Sequence, residues 1–170
     1  MKYSSNRKWF TERKLRDLPN NLKRLLIDNS SLTKRIIKNN TCVKLISSKV
    51  NLTNGFDNSS KQFSFVRKVE INGNLNKPIT AISYTPVDYL RGKMICIKYL
   101  KEKSLASLLF KNPKFSKHTI NFVVLEDCVL RVTIYKKNRA MIRVEEKFPI
   151  TNNYSDISLI DCRKKLINRI

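Results

Sequence analysis

The sequence predicts an α+β fold: helices first and between strands, packed on a single antiparallel sheet of about six strands. Three observations lead there. Apolar residues recur at helical spacing in the first third and again from Ser104 to Phe110. The period drops to two in QFSFVRKVEI and through the last third, and these strand candidates are joined by short polar turns, which favours antiparallel neighbours. With 170 residues and no linker-like block, the chain reads as a single domain over 1–170. Its core spans about 20–150, between a basic N-terminal segment and a polar C-terminal tail that frays or ends in a short helix.

Taken in order, Leu22, Leu25 and Leu26 form one apolar stripe behind Asn20 and Asn21, which are N-cap candidates after Pro19. A second short helix is expected in SSLTKRIIKNN, capped by Ser30 or Ser31 and burying Leu32, Ile36 and Ile37. Cys42 to Val50 reads as a strand, and Asn51 to Ser60, with Asn54-Gly55, as a loop. A hairpin follows, from QFSFVRKVEI through the Asn72-Gly73 turn to Ile79 to Tyr84. Val87 to Asn112 reads as helical, most clearly at Leu105, Leu108 and Leu109 behind a Ser104 cap. Thr119 to Leu125, Val129 to Tyr135 and Met141 to Ile150 complete the strands.

Composition narrows the function. No apolar run approaches the ~20 residues of a membrane span and the basic N-terminus has no hydrophobic core, so a soluble chain without a secretory signal is expected. Cys42, Cys96, Cys128 and Cys162 are scattered and His118 is the single histidine, which predicts reduced thiols, a surface histidine and no metal site. The net charge of +22 is spread from Lys2 to Arg169 among Asn and Ile, residues with A/T-rich codons. Genome bias therefore accounts for it better than nucleic-acid binding does, although a positive field also draws in anions.

The chemistry lies in two strands. In MIRVEEKFPI, alternation puts Ile142, Val144, Glu146, Phe148 and Ile150 on one face; in QFSFVRKVEI it puts Phe63, Phe65, Arg67, Val69 and Ile71 on one face. An acid and a guanidinium are thus aimed at the core. An unpaired buried charge costs several kcal/mol, roughly, so the two must pair as a structural ion pair, sit in a wet cavity or hold a charged ligand.

The ordered motifs SSLTKRI, FVRKVEI, KSLASLLF and VEEKFPI, from roughly Leu22 to Ile150, resemble the chorismate pyruvate-lyase family, in particular its plastid-encoded members found in red algae. The resemblance implies a monomeric enzyme without metal or organic cofactor, its sheet and helices enclosing an internal ligand pocket. It would convert chorismate to 4-hydroxybenzoate and pyruvate for quinone biosynthesis, in the plastid stroma if organelle-encoded and otherwise in the cytoplasm. The family's carboxylate-binding arginine falls on Arg67. Its glutamate falls on Glu146 or Glu145; the pattern Glu146-Lys147-Phe148 and the alternation both favour Glu146. The wall positions that contact the ligand through backbone amides fall on Leu32 and Leu105, and Leu32 stands where some relatives have Met. Thr33, Lys34 and Arg35 would line the entrance or simply face solvent.

On this reading Arg67 grips a carboxylate with two parallel hydrogen bonds, and Glu146 donates to the leaving ether oxygen or holds the 4-hydroxyl. Two other classes stay open. One is a non-catalytic binder of a small aromatic acid, since effector domains of some transcription regulators share this fold, although the first residues are too few for a DNA-binding domain. The other is a basic nucleic-acid-binding protein.

Overall fold

Alternation of apolar and polar side chains writes the sheet. The computed structural model describes residues 15, 17–28, 32, 42–55, 60–72, 75–110, 115–152 and 154. Helix α1 (Asn20–Ile27) leads into strands β1 (Val43–Asn54), β2 (Lys61–Ile71) and β3 (Ile79–Pro86). Two 3-10 segments (Val87–Tyr89 and Gly92–Tyr99) and the short helix α2 (Ala106–Leu109) precede β4 (Ser116–Val124), β5 (Cys128–Lys137) and β6 (Ala140–Pro149). The six strands form one sheet in the order β1-β2-β3-β6-β5-β4, every neighbouring pair antiparallel. It is two three-stranded meanders joined edge to edge by β3 and β6, with the helical insertion between them in sequence. The fold class and strand count expected from the sequence are met.

Register shows how the inner face is organised. One apolar row crosses the sheet through Ile71, Ile79, Phe148 and Val129. The next runs Leu45, Val69, Ala81, Glu146, Arg131, Phe122, and the one after it Ser48, Arg67, Ser83. A further row holds Phe65, Ile142 and Tyr135. The charges therefore occupy the middle of the face, between two apolar cores. One core packs α1 through Leu22, Leu25 and Leu26 against Phe148 and Val129; the other packs Leu90, Ile97, Leu100, Leu105 and Leu109 against Phe65, Tyr135 and Ile142. At eight residues α1 is too short to persist alone. Its three buried leucines each contribute about 1.5–3 kcal/mol.

Several local expectations are corrected. Pro19, not an asparagine, occupies the N-cap of α1, with no side-chain cap, and the first turn closes by Lys23 N–H to Pro19 C=O at 2.9 Å. Strand β1 runs past Val50 to Asn54 because it stays paired with β2 as far as Lys61. The expected long helix over 87–112 breaks into short turns, since Gly92 (φ 53°) and Lys101 (φ 46°) are left-handed and interrupt it. Leu105, not Ser104, occupies the N-cap of α2, although Ser104 Oγ, one residue earlier, accepts from Ala106 N–H at 3.1 Å. Phe63 is 64% exposed, beyond the covered part of its face, beside exposed Leu52 and Val50 of β1.

His118 is the exposed bulge residue of β4, between Lys117 and Thr119. Cys42 is exposed and Cys128 buried, both free thiols. Of the expected second helix Leu32 alone is described, and it is helical and buried. Ile36 and Ile37, the entrance residues Thr33, Lys34 and Arg35, Gly73, Cys162, the basic N-terminal segment and most of the polar tail lie outside the described residues. No helix among the described residues is long and apolar enough to cross a membrane.

Candidate functional site

Between the two apolar cores lies a cavity of about 60 Å³, bounded by β2, β3, β5 and β6, by α2 and by Leu32. On this measure it holds roughly four to six waters. Arg67, Glu146, Leu32 and Leu105 all line it, so the four sequence-derived positions meet in one place. Ser83, Ser104, Arg131 and Tyr135 add polar groups to the wall.

Arg67 is 3% exposed, and its Nη2 donates to two backbone carbonyls, Lys101 at 2.7 Å and Lys103 at 2.8 Å. The left-handed backbone at Lys101 presents that turn; a non-glycine residue there carries about 1–2 kcal/mol of strain. The Arg67 Nε is buried without a partner, as is the Oγ of Ser83, the residue directly opposite it on β3. No carboxylate pairs with Arg67 among the described residues. Burial alone acts on the guanidinium and draws its pKa below the ordinary value. Arginine nonetheless stays charged in a protein.

Glu146 is 7% exposed and is not alone. Its Oε2 accepts from Arg131 Nε at 2.7 Å, an ion pair between directly opposed residues of β6 and β5. Arg131 is 4% exposed; its Nη1 donates to Leu25 C=O at 3.2 Å and Leu26 C=O at 2.9 Å, and its guanidinium lies 5.1 Å from the Phe148 ring centroid. Those carbonyls are in the last turn of α1, where acceptors lack helical partners and the helix dipole is negative. Burial opposes the charge of Arg131, yet the Glu146 carboxylate more than offsets it and holds the pKa above its ordinary value. An ion pair between Arg67 and Glu146 themselves is not formed: they stand two strands and two residues apart. That offset puts their Cα atoms about 12 Å apart.

Glu145 points to the opposite face. Its Oε1 is 3.2 Å from Arg143 Nε, and its Oε2 accepts from the Tyr84 hydroxyl at 3.3 Å, while Arg143 stacks 4.3 Å from the Tyr84 ring centroid. Of the two neighbouring acids, Glu146 is the one at the cavity.

Sequence reasoning passed over Arg131, Ser83, Tyr135 and Lys117. Alternation alone puts Val129, Arg131, Thr133 and Tyr135 on one face, so the signal for Arg131 was present. Tyr135 is buried, packed edge-to-face on Phe110 at 6.2 Å, and burial, reinforced by Glu146, pushes its hydroxyl pKa well up. Lys117 donates to Asp28 C=O at 3.3 Å; burial first, and then Arg131, bring its pKa down to about 8. Among the described residues no three His, Cys, Asp or Glu side chains gather as metal ligands. Comparison with known proteins finds no matching family model and no matching curated protein.

Proposed function

We propose that this chain is a chorismate pyruvate-lyase acting in the cavity between Arg67 and Glu146. One observation carries the reading: a buried guanidinium that no carboxylate pairs among the described residues, with its Nε unpartnered, opens on a cavity of mixed polar and apolar lining, so the missing partner is an anionic ligand. A volume of four to six waters is roughly 120–180 Å³ of liquid, the scale of one substituted benzene ring. Arg67 takes the ring carboxylate. Glu146, with Oε2 engaged by Arg131, has Oε1 without a partner among the described residues, which suits it to accept from the 4-hydroxyl.

This assignment replaces proton donation by Glu146, because its Oε2 is already engaged as the acceptor of the Arg131 hydrogen bond. The reaction needs little from the protein. The ether bond and the neighbouring ring C–H bond break, the ring becomes aromatic, and the enolpyruvyl fragment takes up a hydrogen at its methylene carbon to leave as pyruvate. Orientation and exclusion of water are what the pocket supplies. On the resemblance to plastid-encoded members, the enzyme would work as a monomer without cofactor and feed quinone biosynthesis, in the plastid stroma if organelle-encoded and otherwise in the cytoplasm.

The test is to incubate pure protein with chorismate and follow 4-hydroxybenzoate by chromatography. Product above the uncatalysed level is expected, and none would sink the proposal. Arg67→Ala should raise KM most, and Glu146→Gln should lower kcat more than it raises KM. The Glu146–Arg131 pair also favours a second reading, since a cavity acid already neutralised is equally at home in a non-catalytic aromatic-acid binder. Thermal stabilisation by 4-hydroxybenzoate without chorismate turnover would select that reading.

A further inference from the structure

Arg67 cannot make the two-pronged grip that a free guanidinium offers. A guanidinium binds a carboxylate through a side fork, Nε with Nη2, or an end fork, Nη1 with Nη2. Both hydrogens of Nη2 are already given to Lys101 C=O and Lys103 C=O. Both forks are therefore closed, and the side edge is left with Nε alone. A second donor must come from elsewhere if a carboxylate is to be fixed at two points.

Ser83 stands where that donor is needed. It pairs directly with Arg67 across β2 and β3, is 5% exposed and lines the same cavity. Directly opposed residues have Cβ atoms about 4.5–5.5 Å apart, so a short hydroxyl and the Nε of a longer side chain can converge on one anion. Both Ser83 Oγ and Arg67 Nε are buried with no hydrogen-bond partner, which is the exception among buried polar atoms and calls for a ligand. Two adjacent orphans on one wall make a site, where either alone would be a local defect.

We infer that Ser83 Oγ and Arg67 Nε together form the carboxylate subsite of the cavity, with Ser83 the residue that selects an acid over its neutral analogue. The inference rests on the reading of the cavity as an aromatic-acid site, but not on turnover. The aldehyde of the same ring keeps one carbonyl oxygen, loses the second and offers no N–H or O–H for the serine oxygen to accept, so it satisfies one donor and leaves the other unpaired.

Binding of 4-hydroxybenzoate and 4-hydroxybenzaldehyde to the full chain, measured by calorimetry, tests it. Wild type should prefer the acid, and Ser83→Ala should weaken the acid about tenfold while changing the aldehyde by no more than about twofold. The ligand-free Tm should stay level or rise, because an unpaired buried hydroxyl has been removed. Ser83→Cys, close in size but a weak donor, should fall between the two and serves if the alanine variant does not fold. Unchanged acid binding in Ser83→Ala, equal loss for both ligands, or wild type that binds no acid would each overturn the inference. Chorismate turnover that survives unchanged in Ser83→Ala overturns the subsite and leaves the proposed activity standing; acid selectivity without turnover does the reverse.

Discussion

Arg67 and Arg131 lie on the same face of the same sheet, both almost fully buried, and meet opposite electrostatic fates. Arg131 has a carboxylate directly across the strand pair, two helix carbonyls and an aromatic face. Arg67 has two carbonyls and, among the described residues, no acid. One pKa is driven up by its partner and the other down by burial alone. The first arrangement is what a fold does with a charge it uses internally; it docks α1 on the sheet and closes the region. The second leaves a charge and a donor unspent inside a cavity, and an unspent buried charge is where binding free energy for an anion is stored. The difference separates an arginine spent on the fold from one left available to a ligand, without reference to any relative.

The largest effect should come from breaking the satisfied pair. Arg131→Met strands Glu146 as an unpaired buried acid and releases the Leu25 and Leu26 carbonyls, with an expected loss of about 3–5 kcal/mol in urea unfolding. The double variant Arg131→Met, Glu146→Leu should recover most of that loss, since replacing a whole buried pair by apolar groups is often near neutral. A double variant no better than the single would mean that the contacts with α1, not the ion pair, hold the region.

Arg67→Met sharpens the contrast from the other side. No partner charge is stranded, and the loss is two hydrogen bonds to carbonyls offset by removal of a desolvated cation, so about 1–2 kcal/mol is expected in the same assay. Binding of 4-hydroxybenzoate should vanish all the same. Stability loss as large as that of Arg131→Met would place Arg67 in the same structural class.

How much of this was legible depends on what each strand buries. Strands β2 and β6 alternate cleanly enough for Arg67 and Glu146 to stand out as inward charges, and Leu32 and Leu105 reach the same cavity. Strand β5 is buried on both faces, with Leu130 and Val132 covered as well as Val129 and Tyr135, so its period of two is blurred and Arg131 reads as a polar interruption in an apolar run. Ser83 is unremarkable until register sets it beside Arg67. The insertion over 87–110 misread as helix because apolar spacing alone does not reveal left-handed residues such as Lys101. Lys117 is the hardest case. By strict alternation it would face away from Ile120 and Phe122, and only the bulge at His118 shifts the count and turns it to their side.

That bulge makes a prediction of its own, smaller and confined to pH. Lys117 titrates near 8 in the folded chain against 10.5 unfolded, chiefly through burial and then through Arg131. Its proton is held less tightly when folded, so its charge works against folding at neutral pH, and the penalty fades progressively as pH rises from about 8 towards 10.5. Cys128 acts in the opposite sense: burial, helped by Asp127, raises its thiol from 9.0 to about 11, so stability it contributes below 9.0 is lost above it. Between 8 and 9.0 Lys117 therefore acts with little opposition, and Tm at constant ionic strength should climb by a few degrees before levelling. Lys117→Met should raise the neutral-pH Tm and flatten that climb. Wild-type Tm that falls across the same window would show that Lys117 does not sit against Arg131, and the satisfied half of the comparison would lose its outermost member.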